Sequence, residues 1–281
     1  MESVSIKKPM FGNEVEFEVY NIYEPLAIEI IDEAYNEGMR LHDIFNIYDE
    51  GSEISRLNSA RSMNVTDELL KVLKLALEKS KIDSGYDVSL GKFILKRKDG
   101  EVIPSTCSYK DISIDGNKVD LLHDDVAIDL GSVAKGYITD RMADVFIDKG
   151  VENFLIDSRG DIVVKGDVPH RIGIKDPRSD NEISIIGLQD ASVATSGDYM
   201  QYKDDFSVSH IINQKDVSSV TVVAKSLIEA DFFATLLFVS SEDNIDKILF
   251  DNKEIKAYIV DRYNNIKMFN GFESLIVENE K

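Results

Sequence analysis

Between residues 14 and 20, Val15, Phe17 and Val19 alternate with three glutamates, the period-2 pattern of a strand with one buried face. The period then lengthens. Over residues 26–45, Ile30, Ile31, Ala34, Tyr35, Met39 and Leu41 recur every three or four positions, which predicts a helix that Gly38 weakens at its middle. Thr66 is a good N-cap, with Asp67 and Glu68 suited to the positive end, for a second helix through Leu69, Leu70, Leu73, Ala76 and Leu77. Ile112 and Ile114, then Val119 and Leu121, flank Asp115-Gly116-Asn117 and predict a hairpin. The apolar run 126–130 reads as a strand broken by Gly131, and 132–149 as a helix closed by Gly150. Short β-branched segments follow at 154–156, 162–164, 172–174, 183–188, 192–194, 207–212 and 220–224. Residues 227–239 return to helix, 244–250 continue one, and 257–260 with 266–269 close as a hairpin. Runs of strands interrupted by a few helices, without βαβ alternation, predict an α+β fold. There is no internal repeat, no linker rich in Pro or Ser and no sharp change of composition, so residues 1–281 are expected to form a single domain of two interleaved subdomains.

Charge narrows the function. With 32 basic against 52 acidic residues, the formal charge of −20 repels phosphate backbones and anionic lipid, which disfavours nucleic-acid and membrane-surface roles. Metal cations are the more natural partners. The single cysteine, Cys107, excludes an internal disulfide framework or a Cys-rich zinc site and suits a reducing compartment. The first residues lack the apolar run of a signal peptide, and no stretch is apolar over about 18 residues, so a cytoplasmic protein without membrane insertion is expected.

Three segments carry candidate chemistry. In D-L-G-S-V-A-K-G-Y, residues 129–137, a glycine turn after an apolar run leaves backbone N–H groups at a helix start, while Gly136 permits close backbone approach. That suits a phosphate, although Lys135 precedes Gly136 and the segment is no Walker A loop; a plain turn into a helix has the same pattern. In A-D-F-F-A-T, residues 230–235, Asp231 and Thr235 stand at i and i+4 on one helix face, and a carboxylate with a hydroxyl suits a hard cation such as Mg²⁺. A helix cap or a salt-bridged surface residue would account for Asp231 equally well. Val193 to Tyr199, V-A-T-S-G-D-Y, ends a strand in Thr195, Ser196 and Gly197, which can offer hydroxyls and amides to a ligand or simply make a turn. His210 has the chemistry of a general base, or of a half-buried structural histidine. Tyr48 can stack on a planar ligand or pin a loop.

Taken in order, these segments resemble the ApbE family of FAD:protein FMN transferases. Met10-Phe11-Gly12 is similar to the family's opening Met-Gly-Thr, and F-N-I-Y-D-E-G-S-E-I-S-R-L-N, residues 45–58, to its F-S-x-Y-x-x-x-S-x-I-x-x-L/F-N. The most specific matches are D-L-G-S-V-A-K-G-Y with Asp140, V-A-T-S-G-D-Y, S-H-I-I at 209–212 and E-A-D-F-F-A-T at 229–235. The resemblance implies a fold related to the T-fold, with the flavin site between the subdomains. It also implies Mg²⁺ held by Asp231, Thr235 and the Ala134 carbonyl, His210 as the base for the acceptor hydroxyl, and Tyr48 over the isoalloxazine. Met10, Lys135, Gly136, Thr195, Ser196 and Gly197 would then serve FAD binding, and the product would be FMN joined through a phosphoester to Ser or Thr of an acceptor flavoprotein, with AMP released.

Three departures stand out. The family's D-P-x-T-G after S-H-I-I is replaced by Asn213-Gln214-Lys215-Asp216-Val217, its G-G-D by Arg159-Gly160-Asp161, and its D-P-x-V-G by Asp87-Val88-Ser89-Leu90-Gly91. They keep two alternatives in view: an FAD pyrophosphatase, with water in place of the acceptor, and a flavin-binding protein impaired in turnover.

Overall fold

The computed structural model describes residues 3–98, 104–198 and 217–277. Its largest element is an eight-stranded antiparallel sheet. The strands are β1 (Ser3–Met10), β2 (Asn13–Tyr20), β6 (Phe154–Ser158), β7 (Asp161–Lys165), β10 (Ala191–Gly197), β11 (Val217–Ala224), β12 (Lys256–Asp261) and β13 (Ile266–Phe269), in that spatial order. A three-stranded sheet is ordered β3 (Ser62–Asn64), β5 (Lys118–Leu121), β4 (Ile112–Asp115), and β8 (His170–Lys175) pairs with β9 (Glu182–Leu188). The helices are α1 (Glu24–Phe45), α2 (Glu53–Ala60), α3 (Asp67–Lys79), α4 (Gly91–Lys98), α5 (Gly131–Asp148), α6 (Leu227–Val239) and α7 (Glu242–Asp251). The α+β class expected from the sequence is the one observed.

Both faces of the large sheet are covered, for a reason visible in its strands. Phe17, Val19, Ile156, Ala194, Val220, Val222 and Ile259 belong to the main core with α1, α5 and α6. Leu155, Ile162, Val164, Val193, Val223, Tyr258 and Val260 point the other way, into a smaller cluster with Ile174, Ile186 and Leu188 of the β8–β9 hairpin and with Phe272. Consequently β11 is buried at every position, and α6, lying between the sheet and α5, is buried nearly all round. A helix enclosed on all sides needs no polar face.

The amphipathic helices follow their patterns. In α1, Ala27, Ile30, Ile31, Ala34, Leu41, Ile44 and Phe45 are buried, and Thr66 caps α3 by accepting the Leu69 N–H. Gly38, expected to weaken α1, instead sits at its contact with α5. A Cβ there would lie 2.5 Å from Met142 Sδ and 2.9 Å from Met10 Cε, so a larger residue would have to push these two methionine side chains aside.

The expected strand over 126–130 is absent. Asn58 takes its place as a partner: its side chain donates to the Ile128 carbonyl at 2.9 Å and accepts the Ile128 N–H at 2.7 Å. The Arg61 guanidinium binds the Val126 and His123 carbonyls, and a single bridge pairs Ala127 with Leu90. Residues 244–250 lie in α7, separate from α6, and the strand expected at 207–212 lies outside the described residues.

Candidate active site

Four elements converge where α5, α6, β7 and β10 meet. The closest approach is between α5 and α6. A Cβ on Gly136 would lie 2.6 Å from the Leu227 carbonyl oxygen and 2.8 Å from Ile228 Cα, so this glycine is required for the two backbones to touch. Across that contact the Gly136 N–H donates to Asp231 Oδ2 at 2.9 Å. Asp140, one turn further along α5, accepts the N–H groups of Leu227 and Ile228, both at 2.9 Å. It thereby supplies the N-terminal cap that Ser226 does not provide. Burial raises the Asp140 carboxyl to about 6 against the lowering pull of those two N–H groups.

Asp231 is buried, and among the described residues no donor reaches its Oδ1. Burial, and after it the negative charge of Asp161, pushes its carboxyl well above the ordinary range, while Lys135 pulls it back. Asp161 is itself buried on β7; it accepts the Thr195 N–H at 3.2 Å and forms an ion pair with Lys135. Burial works against the Lys135 charge, but the carboxylates of Asp161 and Asp231 outweigh it and hold the ammonium above its usual value. The result is two buried carboxylates sharing one ammonium, an arrangement that a further cation would balance.

Thr235, one turn beyond Asp231 on α6, meets Ser196 of β10, their hydroxyl oxygens 3.2 Å apart. Gly197 follows at the end of the same strand. Thr195 behaves differently: its hydroxyl pairs with that of Thr221 at 2.9 Å, on the face of the sheet opposite Ser196, so only its backbone N–H addresses the site. Asp231, Thr235, Ser196, Lys135 and the Ala134–Gly136 stretch of α5 are therefore brought together. An oxygen-only set of one carboxylate, one hydroxyl and a backbone carbonyl fits a hard cation that completes its shell with water or phosphate. Among the described residues there is no group of three His, Cys, Asp or Glu side chains of the kind that would hold a metal alone.

The remaining expected site residues have surroundings of their own. Met10 is buried in the main core beside Gly38 and Met142. Tyr48 is 60% exposed on the turn after α1, its N–H bonded to Asn46 Oδ1 at 3.1 Å. His210 lies outside the described residues. The start of α5 also departs from expectation, since the Gly131 N–H, expected to be open to an anion, is bonded to Asp129 Oδ1 at 2.8 Å, and the N–H groups of Val133 and Ala134 go to the Leu130 carbonyl. Two important residues were missed. Asp161 closes Arg159-Gly160-Asp161, where only the lost glycine drew notice, and Arg178 stands in no recognised segment.

Comparison with known proteins agrees along the chain. The ApbE family profile matches residues 11–259. An FAD:protein FMN transferase of Vibrio cholerae is 31% identical over 236 residues, covering 72% of this chain and 71% of that protein. Another, from Haemophilus influenzae, is 27% identical over 257 residues, covering 78% and 74%. The crystal structure of the ApbE protein from Thermotoga maritima aligns with a TM-score of 0.86 at 25% identity, over 99% of this chain and 100% of that one. For the flavin transferase ApbE from Vibrio cholerae the TM-score is 0.81 at 25% identity, over 98% and 99%. In motif order, sequence and architecture alike, this chain belongs to the ApbE family.

Proposed function

We propose that the chain is a Mg²⁺-dependent FAD:protein FMN transferase, which joins FMN through a phosphoester to a Ser or Thr of an acceptor flavoprotein and releases AMP. Membership of the ApbE family supports the reaction class. The observation that carries the location is the buried Asp231 set against Gly136, with the hydroxyls of Thr235 and Ser196 beside it. Asp231, Thr235 and the Ala134 carbonyl would hold Mg²⁺, which supplies positive charge against the FAD diphosphate.

The chain's own residues do the rest. Lys135, ion-paired to Asp161, keeps a second positive charge beside Asp231. Tyr48 offers an exposed ring to the isoalloxazine. Met10, Gly136, Thr195, Ser196 and Gly197 complete the flavin side, through packing or backbone groups where their side chains are engaged. His210 takes the proton of the acceptor hydroxyl as its oxygen attacks the FMN-side phosphorus. The bond from that phosphorus to the bridging oxygen breaks, and AMP leaves with the oxygen.

Incubation with FAD, Mg²⁺ and a candidate acceptor should give a fluorescent protein band and one AMP per label. AMP without label would mean FAD hydrolysis instead, and neither AMP nor label would reject the reading.

A further inference from the structure

The turn after β8 carries Arg178, whose guanidinium forks across two strand ends. Nη1 donates to Asp198 Oδ1 at 2.7 Å, and Nη2 donates to Asp198 Oδ2 at 3.0 Å and to Ser218 Oγ at 2.7 Å. Ser218 Oγ donates onward to the Asp261 carbonyl at 3.1 Å, and the Asp198 N–H donates to the Ser218 carbonyl at 3.2 Å. The Arg178 backbone is itself anchored, its N–H bonded to Asp176 Oδ1 at 2.7 Å. One side chain thus ties the end of β10 to the start of β11 and, through Ser218, to the end of β12. The fork thus adds a side-chain tie beside the last described pairing of β10 with β11, Gly197 opposite Ser219.

The place of this clamp gives it a role. Asp198 lies two residues beyond Ser196, whose hydroxyl meets Thr235, and three beyond Thr195, whose N–H binds Asp161. The Asp198 side chain is fully buried, and a buried ion pair often contributes no more stability than apolar residues of the same volume. What it does contribute is direction, because a bidentate fork fixes both distance and angle.

We propose that Arg178 is a positioning residue for FMN transfer: acting through Asp198 and Ser218, it fixes the ends of β10 and β11 in the register that brings Ser196 to Thr235. This rests on the transferase reading above.

Arg178→Gln alone takes the bidentate guanidinium from a buried carboxylate and risks unfolding. The decisive variant is the double replacement Arg178→Leu with Asp198→Leu, which removes both charges. It should melt within a few degrees of the parent and bind FAD within about threefold of it, yet transfer FMN with kcat lowered on the order of 10–100-fold, the scale of a misplaced site. The amides of Gly197, Ser218 and Ser219 should exchange with solvent faster than in the parent. Arg178→Lys keeps the charge but cannot span both partners, so its kcat should fall between the two. Parental kcat in the double variant would overturn the proposal. So would parental amide exchange, or equal losses of melting temperature, FAD affinity and transfer. Should the parent itself transfer no FMN, the transferase reading fails separately, and amide exchange decides whether the fork holds the strand ends.

Discussion

Replacing Gly136 with alanine places one methyl group at the narrowest point between α5 and α6. On the present backbone that carbon would lie 2.6 Å from the Leu227 carbonyl oxygen and 2.8 Å from both Ile228 Cα and the Leu227 carbonyl carbon. Non-bonded contacts settle at about 3.5–4.0 Å, so the helices must part by about 0.9 Å or more. All three obstacles are backbone atoms, and none can swing aside. Overpacking of this kind costs about 1–3 kcal/mol, and the better helix propensity of alanine returns about 1 kcal/mol. The net loss of about 0–2 kcal/mol should lower the melting temperature by roughly 0–8 °C in a chain of this size. The effect on turnover should be far larger. Parting the helices by that amount takes the 2.9 Å bond from Gly136 to Asp231 beyond hydrogen-bonding range and carries Asp231 with α6 away from Ala134. A shift of about 1 Å at a catalytic constellation costs on the order of 100-fold. The assay is FMN transfer at saturating FAD and Mg²⁺, read as flavin fluorescence on the acceptor, beside a thermal melt of the same sample. Wild-type turnover in a variant that folds would refute the claim that this contact sets the site.

Asp231→Asn should fold, because a neutral side chain suits the buried position, but should lose Mg²⁺-dependent AMP release; wild-type release in Mg²⁺ would remove Asp231 from the metal site. Tyr48→Ala should lower the melting temperature by little, since the residue is 60% exposed, and should weaken FAD binding by roughly 1–3 kcal/mol, the scale of aromatic stacking; an unchanged dissociation constant makes Tyr48 a loop residue. His210→Asn should preserve FAD binding and slow transfer by roughly 10²–10⁴, and the parental rate should fall as pH drops through the histidine range, because only neutral imidazole accepts a proton. Equal losses of stability and FAD affinity, without a selective loss of transfer, would sink that role. Ser192→Ala should be neutral or slightly stabilising, since the Ser192 hydroxyl is buried on β10 without a hydrogen-bond partner among the described residues; a large drop in melting temperature would show that it is satisfied after all.

Elements whose bonds are local, or whose face is set by period, were legible in the sequence. The hairpin of β4 and β5 turns at Gly116 with positive φ, and α1 and α3 bury the positions that their spacing marks. Strand β1 escaped notice because Lys7, Lys8 and Pro9 suit a sheet edge and blur its alternation. Helix α2 escaped because Ser, Arg and Asn fill a short helix with only Glu53, Ile54 and Leu57 buried. Residues 126–130 misled because an apolar run looks the same whether a strand or the side chains of Asn58 and Arg61 take its backbone bonds. In the site, Asp231 and Thr235 were readable from helical spacing. The roles of Asp161, Asp140 and Arg178 were not, since their partners lie tens of residues away and only the folded chain brings them together.

The cap that Asp140 places on α6 has a kinetic meaning. Its two hydrogen bonds join residues 87 and 88 positions apart, so the helix that carries Asp231 and Thr235 has no finished start until α5 has docked against it. Contacts of such long sequence separation form late, after loop-closure entropy has been overcome. That helix should therefore be among the last parts to gain amide protection during refolding, and a chain stopped ahead of residue 227 holds an α5 whose capping carboxylate has no helix to cap. The cluster of Asp231, Thr235, Ser196 and Lys135 would then assemble as a single late event, absent from partly folded chains.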